Sequence, residues 1–204
     1  MKQLIMMNRK TKIIVFTIFA IILICAGGFW LWNSNKNPVR GKASDYSITG
    51  SKVINNKAGL SCDVPSNWGV ETINHAEGSV IIYSPGTEIQ KDDIGAPVLP
   101  LEVGCLIEVA TVYQYEKLEE IREDAGFYRA ATGAVVNDFE TTTLNGISAL
   151  KHSFENEETG KANVFYVSKN HKTYSFAVYL PANEEEASQC LKDFGNFLET
   201  VSIK

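Results

Sequence analysis

Ile13 to Trp32 is a run of twenty residues without a charge, and Thr17 and Cys25 are its only mildly polar members. As a helix rising ~1.5 Å per residue it reaches about 30 Å, the thickness of a bilayer hydrocarbon core. No face of such a helix is polar, so burying it in a globular core would leave apolar surface in water. Its flanks agree with a membrane span: Arg9, Lys10 and Lys12 precede it, and Trp30 and Trp32 close it where amphipathic rings favour the headgroup level. Residues 13–32 are therefore read as a single-pass transmembrane anchor. Residues 1–12 form a basic tail that resists translocation, whereas a long downstream domain crosses regardless of its charge. The N-terminus is expected in the cytoplasm and the domain outside the cell membrane.

Two processing routes compete with a retained anchor. Lipidation of Cys25 would need a small residue just before it, and Ile24 stands there. Cleavage after Gly28 has Ala26 and Gly28 in its favour, but "FWLW" prolongs the apolar stretch beyond the cut. An uncleaved anchor is the expectation, with Cys25 a membrane-buried thiol.

Beyond the anchor, "NSNKNPVRGKASDYSITG" at 33–50 lacks periodic apolar residues and reads as a flexible stalk. A single domain over 51–204 is expected. From Ala43 onward 12 basic residues face 24 acidic ones, a balance of minus twelve. Nucleic-acid binding draws its affinity from Lys and Arg on phosphates, so such a surface argues against a nucleic-acid partner.

Within the domain the pattern alternates between strands and helices. "GLSCDVP" places Leu60, Cys62 and Val64 on one face, and "CLIEVATVYQY" does the same for Cys105, Ile107 and Val109. "EKLEEIREDAG" reads as a helix with Leu118, Ile121 and Ala125 on one stripe. Four strand-like segments follow. Asn145-Gly146 is a two-residue hairpin signal, because both positions need positive φ, and Asn170-His171 does the same less comfortably. Asn183 caps a closing helix whose stripe runs through Ala187, Cys190, Leu191, Phe194, Phe197, Leu198 and Val201.

Residues that carry chemistry are few. The sequence contains no G-x-S-x-G, no phosphate-binding G-x-x-x-x-G-K-[ST], no H-E-x-x-H and no C-x-x-C. His75, His152 and His171 are far apart, and no cofactor or metal is expected. Glu88, Asp92 and Asp93 could offer carboxylates to calcium, but without the D-x-D-x-D-G ladder they read as a solvated loop. Cys62 and Cys105 both face inward; in an oxidising compartment they can bridge, and otherwise they stay as buried thiols. Cys190 reads as a small core residue. The loop Pro85 to Val103 carries Ile89, Ile94, Val98, Leu99 and Leu101 among prolines, so it is either a partner-binding loop or a flap folded back over the sheet.

"GLSCDVPSNW", a central helix, the "TLNGISALK" hairpin, the "VFYVSKNHKTYSFAV" strand pair and a closing amphipathic helix together resemble the PsbP-like domain family over about residues 51 to 203. The resemblance implies an α+β fold, an antiparallel β-sheet flanked by helices. It also implies a binding or assembly role without a shared catalytic centre. The expected function is thus a membrane-anchored extracytoplasmic binding or assembly module with a protein partner at the envelope. The rival is an envelope enzyme using Cys62 or His152.

Overall fold

Alternation of apolar and polar residues, broken by tight turns, makes antiparallel pairing the economical outcome for this chain, and two antiparallel sheets result. The computed structural model describes residues 41–73, 78–92, 97–113, 117–122, 135–136, 139–156 and 160–204. The basic tail, the 13–32 span and the stalk up to residue 40 lie outside the described residues. Among the described residues no helix is long and apolar enough to cross a membrane.

In chain order the strands are β1 (Ser47–Thr49), β2 (Lys52–Asn55), β3 (Leu60–Asp63), β4 (Gly69–Ile73), β5 (Ser79–Tyr83), β6 (Leu106–Val112), β7 (Val135–Val136), β8 (Glu140–Leu144), β9 (Ile147–Asn156), β10 (Gly160–Lys169), β11 (Lys172–Leu180) and β12 (Ser202–Ile203). The large sheet runs β4-β5-β6-β11-β10-β9-β7, with β8 also paired to β9. A small sheet runs β1-β2-β3-β12, so its fourth strand comes from the far end of the domain.

Both hairpins announced by the sequence form. Asn145 and Gly146 sit at φ +49° and +82° between β8 and β9, and Asn170 and His171 at +53° and +58° between β10 and β11. The second turn sets the register that pairs Lys161 with Leu180 and Lys169 with Lys172.

The closing helix, Glu184–Thr200, starts where Asn183 Oδ1 accepts the backbone N–H groups of Glu185 and Glu186, both at 3.0 Å. Three acidic residues in its first turn favour the positive end of the helix dipole. Its buried stripe is Cys190, Phe194, Phe197 and Leu198. Phe194 meets Phe165 of β10 edge-on at 6.0 Å, and Phe197 meets Phe176 of β11 at 6.3 Å. Helix, small sheet and the inner face of the large sheet share one core, with Val53, Leu60, Cys62, Ile82, Ile107, Val109, Val167 and Val178 buried among them.

Three expectations are corrected. The stalk does not run to Gly50: Ala43–Asp45 form a 3-10 turn, Ala43 and Tyr46 are buried, and Ser47–Thr49 pair with β2. Polar residues conceal this order, because the turn is held by hydrogen bonds and not by an apolar stripe. Tyr46 Oη and Thr111 Oγ1 lie 3.1 Å apart, Asn55 Nδ2 donates to Thr111 Oγ1 at 3.3 Å, and Tyr113 Oη donates to Asp45 Oδ2 at 2.7 Å. Gly78, at φ +51°, lies so close under this turn that a methyl group there would run into the backbone of Lys42 and Ala43.

The second correction concerns the disulfide. Cys105 is bonded to Cys190, not to Cys62, and their Cα atoms are 5.7 Å apart. Cys62 and Cys105 do face inward, but Cys62 belongs to the small sheet, while Cys105 sits just before β6, bonded to the closing helix. Cys190 is therefore half of a crosslink and more than a core filler. Third, the single expected sheet is two, because β3 pairs with β2 and β12 and not with the strands that follow it. Of the expected central helix, residues 118–122 are helical, with Ile121 buried.

Candidate functional site

The outer face of the large sheet carries the titratable chemistry. Strand pairing sets Ile81, Glu108, Ala177, Val164 and His152 in one cross-strand row. The neighbouring row is Ser79, Ala110, Ser175, Tyr166 and Leu150. Alanine and serine at the centre of both rows keep the floor low, and aromatic rings rise at its β9 side.

His152 is only 6 % exposed. Its ring lies parallel to Tyr166 at 5.7 Å, tilted against Phe139 at 4.5 Å and beside Phe154 at 6.0 Å. Burial pushes the imidazole pKa down to about 4, against a weak upward pull from the Ser153 backbone. No hydrogen bond of full geometry reaches either ring nitrogen among the described residues. Tyr166 is pushed up to about 12, first by burial and then by the Glu108 charge, and Tyr179 Oη donates to Glu108 Oε2 at 3.1 Å. The hydroxyls of Ser79 and Thr173 on the same face are likewise buried without a partner.

The arrangement holds a neutral imidazole by stacking. A general base needs its second nitrogen firmly oriented by a carboxylate or carbonyl; beside His152 only a weak pull from the Ser153 backbone acts, and no hydrogen bond of full geometry forms among the described residues. Cys62, the other residue of the enzymatic alternative, is 1 % exposed and pairs across to Val53. Burial and the adjacent Asp63 raise its thiol to about 12, so it is protonated at neutral pH, the opposite of an activated nucleophile.

The loop after β5 divides its apolar residues. Leu101 is buried with Ile73, Ile81 and Leu106 in a second cluster, and Ile89, Leu99 and Tyr179 pack against it. Val98 and Val103 remain exposed, at 44 % and 49 %. Ile94 and Asp93 lie outside the described residues, as does His75. Glu88 and Asp92 join no cluster of metal-ligating side chains among the described residues.

The outer-face hydroxyls and Tyr166 are the residues that sequence reasoning passed over. The aromatic alternation of "HSFE" opposite "NVFYV" signals a shared ring cluster once the β9–β10 register is known. Ser79 and Thr173 carry no such signal, since both read as ordinary strand residues.

No protein-family model matches the sequence, and no curated protein matches it. Among solved structures, the chain is similar to the solution structure of cyanobacterial PsbP (CyanoP) from Synechocystis sp. PCC 6803. The two are 13% identical, with 78% of this chain and 98% of that chain covered and a TM-score of 0.48. A crystal structure from Bacteroides thetaiotaomicron VPI-5482 is 14% identical, covers 77% of this chain and 49% of its own, and has a TM-score of 0.43.

Proposed function

We propose that the chain is a single-pass, membrane-anchored extracytoplasmic module that binds or assembles protein partners at the cell envelope and has no catalytic centre of its own. The observation that carries this reading is the Cys105–Cys190 disulfide. Such bonds persist in oxidising compartments and are rare in a reducing cytoplasm. The apolar run 13–32 supplies the tether, and the basic tail before it sets the orientation. Among the described residues of the long loop, Val98 and Val103 are exposed apolar side chains open to a partner, whereas Ile89, Leu99 and Leu101 are engaged by the sheet.

Protease added to intact cells tests the reading, combined with alkylation of the released domain before and after reduction. Removal of the domain, with Cys105 and Cys190 reactive only after reduction, is the expected result. A protected domain whose two cysteines alkylate without reductant would overturn it. Crosslinking in the native membrane then reads the partner: V98D/V103D should keep the melting temperature and lose the crosslinked neighbours.

A further inference from the structure

The acidic balance of the domain is not spread evenly along its strands. The β10–β11 turn brings Lys169 and Lys172 to the turn at 56–59 and to the last residues of the chain. Lys172 Nζ donates to the carbonyls of Lys57 at 2.9 Å and Ala58 at 3.5 Å, and Lys169 Nζ donates to Ile203 O at 2.7 Å. The Lys204 N–H donates to Gly59 O at 2.9 Å. Lys57, Lys169, Lys172 and Lys204 thus share one end of the domain. Lys57 Nζ lies 3.6 Å from Asp45 Oδ2 and 4.1 Å above the Tyr113 ring. Among the described residues, no carboxylate stands within ion-pair distance of the other three ammonium groups. The opposite end is acidic: Gly104 N–H meets Glu186 Oε2 at 3.4 Å, and Glu102, Glu155, Glu184 and Glu185 are exposed around it.

The chain enters at the basic end. Gly41 N–H donates to Thr111 O at 2.7 Å and Lys42 N–H to Asp45 Oδ2 at 2.9 Å, next to Lys57. Residues 33–40, which include Lys36 and Arg40, are all that separate Trp32 from Gly41. Even fully extended, that length spans no more than about 30 Å.

We infer that this lysine-rich end docks on an anionic lipid surface, with Lys57, Lys169, Lys172 and Lys204 facing the phosphate headgroups of the leaflet from which the chain emerges. The inference rests on the membrane-anchored reading above, which supplies the tether. A lysine held near an anionic surface raises occupancy roughly fivefold, and the effect fades beyond a Debye length of about 8 Å at physiological salt. Attraction of that range acts only on a domain already held close. The glutamates at the far end oppose the inverted pose, so the charge separation also fixes orientation.

The full chain, reconstituted into vesicles of phosphatidylcholine alone and of equal parts phosphatidylcholine and phosphatidylglycerol, tests this by lysine acylation read residue by residue. In the anionic vesicles Lys57 and Lys204 should acylate severalfold more slowly, with Lys169 and Lys172 following and Lys161 at the far end unchanged. High salt should remove the difference. Equal rates in both lipids, with the chain floating in both, would overturn the docking and leave the anchor intact. Flotation on anionic vesicles alone, with the same lysines protected, would keep the docking and sink the anchor. Failure to float with either would overturn both.

Discussion

The two faces of the large sheet are built from the same strands and reach opposite solutions. On the inner face, Phe176, Val178, Ile107 and Val109 meet the closing helix and the small sheet, and the buried Thr111 hydroxyl is bonded to Tyr46 and Asn55. On the outer face, small residues alternate with a stacked imidazole; among the described residues the Ser79 and Thr173 hydroxyls are buried without partners, and neither His152 nitrogen has a hydrogen bond of full geometry. An unpartnered buried polar group costs free energy, so the outer face gives away stability that the inner face accumulates. Period-two alternation assigns residues to faces but does not say which face the fold will complete.

The largest effect expected from breaking this contrast comes from the inner face. Phe176→Ala removes a fully buried ring and should destabilise the domain by about 3–5 kcal/mol in urea titrations. A loss below about 1 kcal/mol would mean that the helix does not press on the sheet as described.

Next comes the crosslink that fastens the helix. The bonded cysteines are 85 residues apart, so reduction, or the C105S/C190S pair, should cost about 2–5 kcal/mol by releasing loop entropy in the unfolded chain. Melts with and without reductant measure it, and C62S should leave that difference in place.

The outer face responds to pH. His152 titrates near 4 when folded and near 6.5 when unfolded, so between those values the unfolded chain binds more protons. Its contribution is whole above pH 6.5 and lost as pH falls toward 4, amounting to about 2 kcal/mol by pH 5. His152→Phe should flatten the wild-type slope over that window while changing neutral-pH stability little. A variant with an undiminished slope would assign the acid sensitivity to other groups.

The finest comparison uses one substitution on both faces. Thr111→Val removes the hydroxyl that Tyr46 and Asn55 share and should cost about 1–3 kcal/mol, whereas Thr173→Val removes a hydroxyl that has no partner among the described residues and should be neutral or stabilising by up to about 1 kcal/mol. Equal losses at the two sites would erase the distinction between the faces.

Much of the fold was legible because the residues involved act locally. Asn145-Gly146 and Asn170-His171 need positive φ whatever surrounds them, and Asn183 with its acidic first turn starts a helix on its own. The inward direction of Cys62 and Cys105 followed from alternation in the same way. What stayed hidden depends on contacts distant in sequence. Cys190 reaches Cys105 only because the closing helix, packed on β11 and β3, passes over the residue just before β6, and Ser47–Thr49 become a strand only because β2 stands ready, for all three are exposed. The clamp around Asp45 is polar and leaves no hydropathy signal. Within the candidate site, the sequence names His152 only as a residue an enzyme could use, while its stacking on Tyr166 needs the β9–β10 register.

The closure of the small sheet by β12 governs when the domain can be finished. Strand β3 holds its second neighbour only once Ser202 and Ile203 are present, about 140 residues after Ser61 and Leu60. A chain made from its N-terminus therefore carries β1, β2 and β3 with one edge unsatisfied while the rest is still being synthesised, and exposed edges invite pairing with other chains. Completion waits for the last strand, a contact of very long sequence separation that slows folding. Between emergence and closure, the nascent domain is a natural client for whatever shields unpaired strand edges.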